Sequence, residues 1–264
     1  MPKISTDIIN HNSLVWDKFA LAEADWSKPV SQEVIEQAKL GNWSVHITKQ
    51  PLTESWLPKC IEGKKILCLA SAGGQQAPVL AAAGAIVTVY DLSREQLNKD
   101  KFVAKRDELN ITTIQGDMRD LSIFEEQTFD FIISPISNLY IPDLKDLWNE
   151  CYRVLKTKGL LLTSFYNPVL FIFERNKKLE EQGLIKPKYA IPYSDKTSLT
   201  QNEYEEKLST GQAIVFGHTL TEQIGEQINS GFVIAGFYED EHPTPRFIIE
   251  NYLPTMIATK AIKL

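Results

Sequence analysis

KILCLASAGGQQAPVLAAAGAIVTVYD, residues 65–91, decides the fold. Residues 65–70 are a short apolar run, and SAGG (71–74) is a turn of small side chains. QQAPVLAAAG (75–84) has helical composition, and AIVTVYD (85–91) is β-branched and closes on an acid. Strand, tight turn, helix and strand in that order make a βαβ unit, whose strands run parallel. Near-continuous apolar runs, rather than alternation, are what strands covered on both faces require.

The rhythm repeats on the C-terminal side. SREQLNKDKFVAKRDEL (93–109) follows at helical period, and ITTIQGD (111–117) is a third strand candidate. FDFIISP (129–135) is a fourth, DLKDLWNECYRVLK (143–156) an amphipathic helix, and GLLLTSFYN (159–167) a fifth strand. The pattern then breaks for some fifty residues rich in Tyr, Lys and Glu. It resumes at TLTEQIGEQINSG (219–231), a helix capped by Thr219 or Thr221 and closed by Gly231. The strand candidates FVIAGFYE (232–239) and TMIATKAI (255–262) are separated by a loop holding Pro243, Pro245 and Pro254. That is too short for a helical crossover, so the final pair is expected to be antiparallel.

The expected architecture is α/β: a Rossmann-like, seven-stranded, mostly parallel sheet with an antiparallel final strand. Residues 1–60 form a separate extension or lid. They hold Trp16, Trp26, Trp43 and Trp56, and a helix after Pro29 with Ser31 as its N-cap. Residues 61–264 form the main domain, with an insertion at about 168–217. Long connections of this kind are usually functional.

Composition narrows the function. With 43% hydrophobic and 23% charged residues, the chain is globular. Its net charge of −6 lacks the basic excess of a nucleic-acid-wrapping surface, so a small-molecule substrate is expected rather than nucleic acid. Lys64–Lys65 and Lys177–Lys178 read as solvated pairs. Cys60, Cys68 and Cys151 form no CxxC pair, no metal-ligand cluster stands out, and Cys68 reads as a buried small hydrophobe. The N-terminus has neither the basic start nor the apolar core of a signal peptide, and no segment is long enough to span a membrane. The expected location is cytoplasmic.

Ligands of open parallel sheets bind beyond the carboxyl ends of the strands, where strand order reverses. After the first strand stand Ala70, Ser71, Ala72, Gly73, Gly74, Gln75 and Gln76, small enough for close backbone approach and followed by a helix N-terminus. The same residues also suit a plain tight turn. Asp91 ends the second strand, where a carboxylate can accept both ribose hydroxyls or cap the next helix, a role for which Ser93 competes. Gly116, Asp117 and Met118 end the third strand; the carboxylate can accept an adenine amino hydrogen, or the three can be an exposed turn.

Together these elements, with FDFIIS and RVLKTKGLLL after them, resemble the class I S-adenosylmethionine-dependent methyltransferases. The subgroup is similar to the ubiquinone- and menaquinone-biosynthesis methyltransferases, across roughly residues 60–168. The resemblance implies S-adenosylmethionine as cofactor, with its methionine part along Ala70–Gly74 and its ribose on Asp91. Adenine would lie beside Leu92, Asp117 and Met118, and the methyl-transfer pocket would be lined by Pro135, Ile136 and Ser137. Gln75 and Gln76 are candidates to replace lost hydrogen bonds, because the family's acid and alternating glycines are here Cys68, Ala70, Ala72 and Gly74. Trp16, Trp26, Asn138 and Tyr140 are candidate acceptor contacts, with Phe19, Tyr189 and Tyr193 as further parts of an apolar roof. No catalytic base is assigned; His46 and His218 read as structural or surface residues. Two other readings remain at this point: a catalytically degenerate cofactor-binding partner protein, and an NAD(P)-dependent oxidoreductase. The latter would need Ala72-x-Gly74-x-x-Ala77 to serve as a dinucleotide fingerprint.

Overall fold

The computed structural model describes residues 6–264; the first five residues of the expected 1–60 extension lie outside the described residues. The helices in chain order are α1 (Thr6–Leu21), α2 (Gln32–Lys39), α3 (Gln76–Ala82), α4 (Arg94–Arg106), α5 (Lys145–Val154), α6 (Lys177–Glu181), α7 (Asp195–Ser198), α8 (Gln201–Ser209) and α9 (Glu226–Asn229). The main strands are β1 (Lys65–Leu69), β2 (Ile86–Asp91), β3 (Ile111–Gln115), β4 (Phe129–Ser134) and β5 (Leu155–Tyr166), completed by β8 (Phe232–Asp240) and β9 (Met256–Lys263). A two-stranded ladder, β6 (Tyr193–Ser194) and β7 (Phe216–Gly217), lies within the insertion.

The seven long strands form one sheet in the order β3-β2-β1-β4-β5-β9-β8. The first five are parallel, and β9 runs antiparallel to both of its neighbours, as expected. Order reverses at β1, which pairs with β2 on one side and β4 on the other. The strand ends at this switch point are therefore where a ligand fits.

β1 shows why the pattern reads as a doubly covered strand. Ile66 and Cys68 enter the core on one face together with Leu80 of α3 and Leu97 and Val103 of α4. Leu67 and Leu69 enter the core on the other face with Leu147, Trp148 and Cys151 of α5. Successive side chains of a strand point to opposite faces, so an apolar run is buried only when both faces are covered. Trp148 is fully buried and its indole N–H donates to the Glu222 carbonyl, so the ring is satisfied at its polar edge. Burial pushes the Cys68 and Cys151 thiols up, which keeps them protonated and inert.

The extension and the insertion meet. On α1, the buried Asn12 amide donates to the Ile214 and Tyr140 carbonyls and accepts from the Ile214 N–H. Ile8 packs with Ile214 and Phe216, against Tyr204 and Leu208 of α8. α1 also docks on the start of α4: the Asp17 carboxylate accepts from the Ser93 hydroxyl at 2.6 Å and the Glu95 N–H at 3.0 Å. The two additions thus form one continuous cover. No helix among the described residues is long and apolar enough to cross a membrane.

Candidate functional site

The turn after β1 adopts the backbone of a glycine-rich turn without all of its glycines. Ala70, Ala72 and Gly74 have φ of 43°, 64° and 75°. Left-handed backbone is costly for a residue with a Cβ, so the two alanines are held there by their surroundings. Those surroundings differ from expectation. The Gly73 and Gly74 N–H groups are not free for an anion: they donate to the Gln96 side-chain oxygen and the Asp100 carboxylate of α4, at 2.7 and 2.8 Å. A Cβ on Gly73 would lie 2.3 Å from the Gln96 carbonyl oxygen, and one on Gly74 would lie 3.0 Å from Pro29. These glycines permit close packing of α4 and the extension onto the turn.

Gln75 and Gln76 serve the same packing. Gln75 donates to the Asp25 and Lys28 carbonyls, and Gln76 accepts from the His46 N–H. The Gln75 Nε2 and the Gln76 Oε1 are thus engaged with the extension. Ser71 is the polar residue of the turn left open, its hydroxyl oxygen buried with no hydrogen-bond partner.

At the end of β2, Ser93 is the cap of α4, its hydroxyl oxygen accepting the Gln96 N–H. Asp91 is thereby released from that role. One of its oxygens accepts the Ser93 N–H at 2.7 Å, and the carboxyl is almost fully buried. Burial raises its pKa to about 7, opposed by the Ser93 N–H and reinforced by the Asp17 charge. α1 crosses immediately above, where the Ser13 hydroxyl donates to the Leu92 carbonyl. A dry carboxylate at the switch point, roofed by a helix, is an expensive feature unless a ligand donates to it.

At the end of β3, Gly116 is explained by its neighbour. A Cβ there would lie 2.0 Å from the Tyr90 hydroxyl, which crosses beneath to donate to the Asp120 carbonyl. Asp117 is held by the Arg119 guanidinium in a bidentate pair, 2.5 Å at its closest. Met118 packs on the core beside α5.

Beyond β4, the Ser137 hydroxyl donates to the Pro135 carbonyl, fixing the Pro135–Ile136–Ser137 bend. Asn138 and Tyr140 lie in the short helical turn that follows, and they part company. Asn138 is buried and its amide donates to the Gln223 side-chain oxygen at 2.6 Å, a structural pairing. Tyr140 faces the edge of the Trp16 ring, with centroids 5.0 Å apart. Trp16 also contacts Phe19 and Trp26 edge-on, so one cluster of four aromatic rings sits at the strand ends. Tyr189 and Tyr193 belong elsewhere: they pair with each other, and Tyr193 also pairs with Phe171, inside the insertion. His218 is buried, its Nε2 facing the Asn138 and Ile141 carbonyls, and burial lowers its pKa; it is a structural, neutral histidine.

The open Ser71 hydroxyl, the left-handed turn and the buried Asp91 carboxylate suit a nucleoside with an amino-acid tail. The residues present at the turn and at Asp91 therefore fit S-adenosylmethionine, while Asp117 is occupied by Arg119. No group of metal-ligating side chains occurs among the described residues.

Comparison with known proteins agrees. Residues 67–163 match the family model described as a methyltransferase domain. The chain is 45% identical over 258 residues to the uncharacterized methyltransferase YbaJ of Bacillus subtilis (strain 168), spanning 97% of this chain and 99% of that one. A ubiquinone biosynthesis O-methyltransferase of Vibrio campbellii is 26% identical over 53% of this chain and 65% of its own length. An S-adenosylmethionine-dependent methyltransferase from Mesorhizobium loti has the same fold, with a TM-score of 0.61 at 20% identity over 79% of this chain and 94% of that one. The oxidoreductase reading is set aside, and the chain belongs to the class I S-adenosylmethionine-dependent methyltransferases.

Proposed function

We propose that this protein transfers the methyl group of S-adenosylmethionine to a small-molecule acceptor at the strand ends of β1, β2 and β4, beneath α1. The observation that carries this reading is the joint cover. α1 and the insertion are hydrogen-bonded to each other through Asn12 and close over Asp91 and Tyr140. A site covered in that way favours a small acceptor over a folded macromolecule, and the net charge of −6 disfavours a polyanion.

When bound, the cofactor supplies a methyl group already activated on a sulfonium. The protein's part is then to bind, align and exclude water. Asp91 holds the ribose hydroxyls, and the Ser71 hydroxyl and the Ala70–Gly74 backbone hold the amino-acid portion. Leu92, Asp117 and Met118 frame the adenine. Pro135, Ile136 and Ser137 line the approach to the methyl group, and Trp16, Trp26 and Tyr140 form the apolar wall on the acceptor side. Asn138 supports that wall through Gln223. His218 is neutral and committed to carbonyls, so it is not the base.

The test is methyl transfer from methyl-labelled S-adenosylmethionine into a cell extract split by size. Label in the small-molecule fraction is expected, and its loss in Asp91→Ala ties it to this site. Label appearing instead in protein or nucleic acid would overturn the choice of acceptor. Binding of S-adenosylhomocysteine without transfer to any fraction would favour the cofactor-binding partner reading.

A further inference from the structure

The turn after β1 is held by one face of α4. Gln96 and Asp100 stand about one helical turn apart, and both are buried although polar. The Gln96 side-chain oxygen accepts the Gly73 N–H at 2.7 Å, and one Asp100 carboxyl oxygen accepts the Gly74 N–H at 2.8 Å. The Gln96 amide donates in turn to the buried Ser27 hydroxyl at 2.6 Å, so the same side chain ties the extension to the turn. The other Asp100 oxygen is buried with no hydrogen-bond partner among the described residues.

A carboxyl group is a costly way to pin a turn. Burial pushes Asp100 well above the ordinary carboxylate range, opposed by the Gly74 N–H and reinforced by the Asp91 charge. An apolar residue there would fill the contact without desolvating a carboxyl, but it would leave the Gly74 N–H unpaired. What the polar clamp secures is backbone shape. Ala70 and Ala72 keep positive φ despite their side chains, and the peptide groups at Gly73 and Gly74 are fixed in one orientation. Ser71, between the two alanines, has a buried hydroxyl without a partner. The clamp and an unmet polar group thus occur in the same turn.

We propose that Asp100, seconded by Gln96, is a positioning residue for the cofactor: it sets the turn in the shape that receives the amino-acid tail, acting through Gly74 without touching the ligand. The inference rests on the reading that the tail lies along Ala70–Gly74. It adds that the tail's share of the affinity is controlled from α4, whereas the nucleoside's share is controlled at Asp91. A neutral acceptor of the same shape should serve at position 100, because the contact to Gly74 needs an oxygen and not a charge.

The probes are S-adenosylhomocysteine and methylthioadenosine, the same nucleoside without the amino-acid tail, in calorimetric titrations of the full chain. The wild type is expected to prefer S-adenosylhomocysteine. Asp100→Leu, which frees the Gly74 N–H, should bind S-adenosylhomocysteine about tenfold more weakly and methylthioadenosine equally well. The unchanged nucleoside affinity reports that the variant folds. Asp100→Asn should keep most of the preference, because its amide oxygen can still accept from Gly74. Gln96→Met, which releases the Gly73 N–H, should show the same split to a smaller degree and decides the matter if Asp100→Leu does not fold. An undiminished preference in Asp100→Leu, an equal loss for both ligands, or an Asp100→Asn variant as impaired as Asp100→Leu would overturn the proposal while leaving the cofactor site standing. A wild type that binds neither ligand would instead sink the methyltransferase reading, and this inference with it.

Discussion

The two halves of the strand-end surface are finished differently. On the β1-β2-β3 side, polar groups are consumed internally: Gln96 and Asp100 hold the turn, Gln75 and Gln76 hold the extension, and Arg119 holds Asp117. On the β4 side, the extension and the bend after the strand bring Trp16, Phe19, Trp26 and Tyr140 into one aromatic cluster. The first half has one expected ligand, the cofactor, and is tightly packed, with Asp91 and Ser71 as the groups proposed to meet it. The second half is made largely of added chain, the segments proposed to meet the acceptor. A cofactor shared by a whole family needs a fixed cradle, whereas an acceptor needs a site that can differ between relatives.

Substitutions can break this contrast at graded cost. The largest effect is expected from Asp91→Ala, which removes a desolvated carboxylate to which two ribose hydroxyls would donate. S-adenosylhomocysteine should bind more weakly by about 2–4 kcal/mol, with the circular-dichroism spectrum unchanged; calorimetric titration checks this. Next is Asn12→Ala. It strips buried partners from Ile214 and Tyr140 and uncouples α1 from the insertion. A loss of roughly 2–3 kcal/mol in denaturant stability is expected, with faster proteolysis within the first sixty residues.

The pH dependence of Asp91 separates the halves further. Its folded pKa, about 7, lies above its ordinary value of 3.8. The native state therefore holds an extra proton between those values, and this residue's contribution is fully present below about pH 4 and lost as pH rises through 7. Asp91→Asn should consequently be more stable than wild type at pH 8, by on the order of 2 kcal/mol, while binding the nucleoside less well. Thermal melts at pH 5 and pH 8 measure it, with the gap between the two proteins widening at the higher pH. The smallest effect is expected from Ala70→Gly and Ala72→Gly. Each relieves left-handed backbone at the cost of a more flexible unfolded chain, for a net gain of about 0.5 kcal/mol in urea titrations.

The succession of strands and helices was legible because periodicity is local: 65–91 alone carries a doubly covered strand, a turn and a crossover helix, and the short final connection pointed to the antiparallel close. The position of Asp91 at a strand end was legible for the same reason. Its neighbours were not. Gln96 and Asp100 look like surface positions of a polar helix, yet they turn inward to the Gly73 and Gly74 N–H groups. That Gly116 clears the Tyr90 hydroxyl depends on how β2 and β3 are stacked. The docking of α1 through Asn12 and Asp17 joins residues far apart in the chain, which no local pattern encodes.

The most direct test is a crystal structure of the complex with S-adenosylhomocysteine. Both ribose hydroxyls should lie within about 3 Å of the Asp91 carboxylate, with the amino-acid portion along Ala70–Gly74 and Arg119 moved off Asp117. A nucleoside bound away from Asp91, with the Arg119–Asp117 pair intact and α1 undisturbed, would contradict the assignment of this half of the sheet.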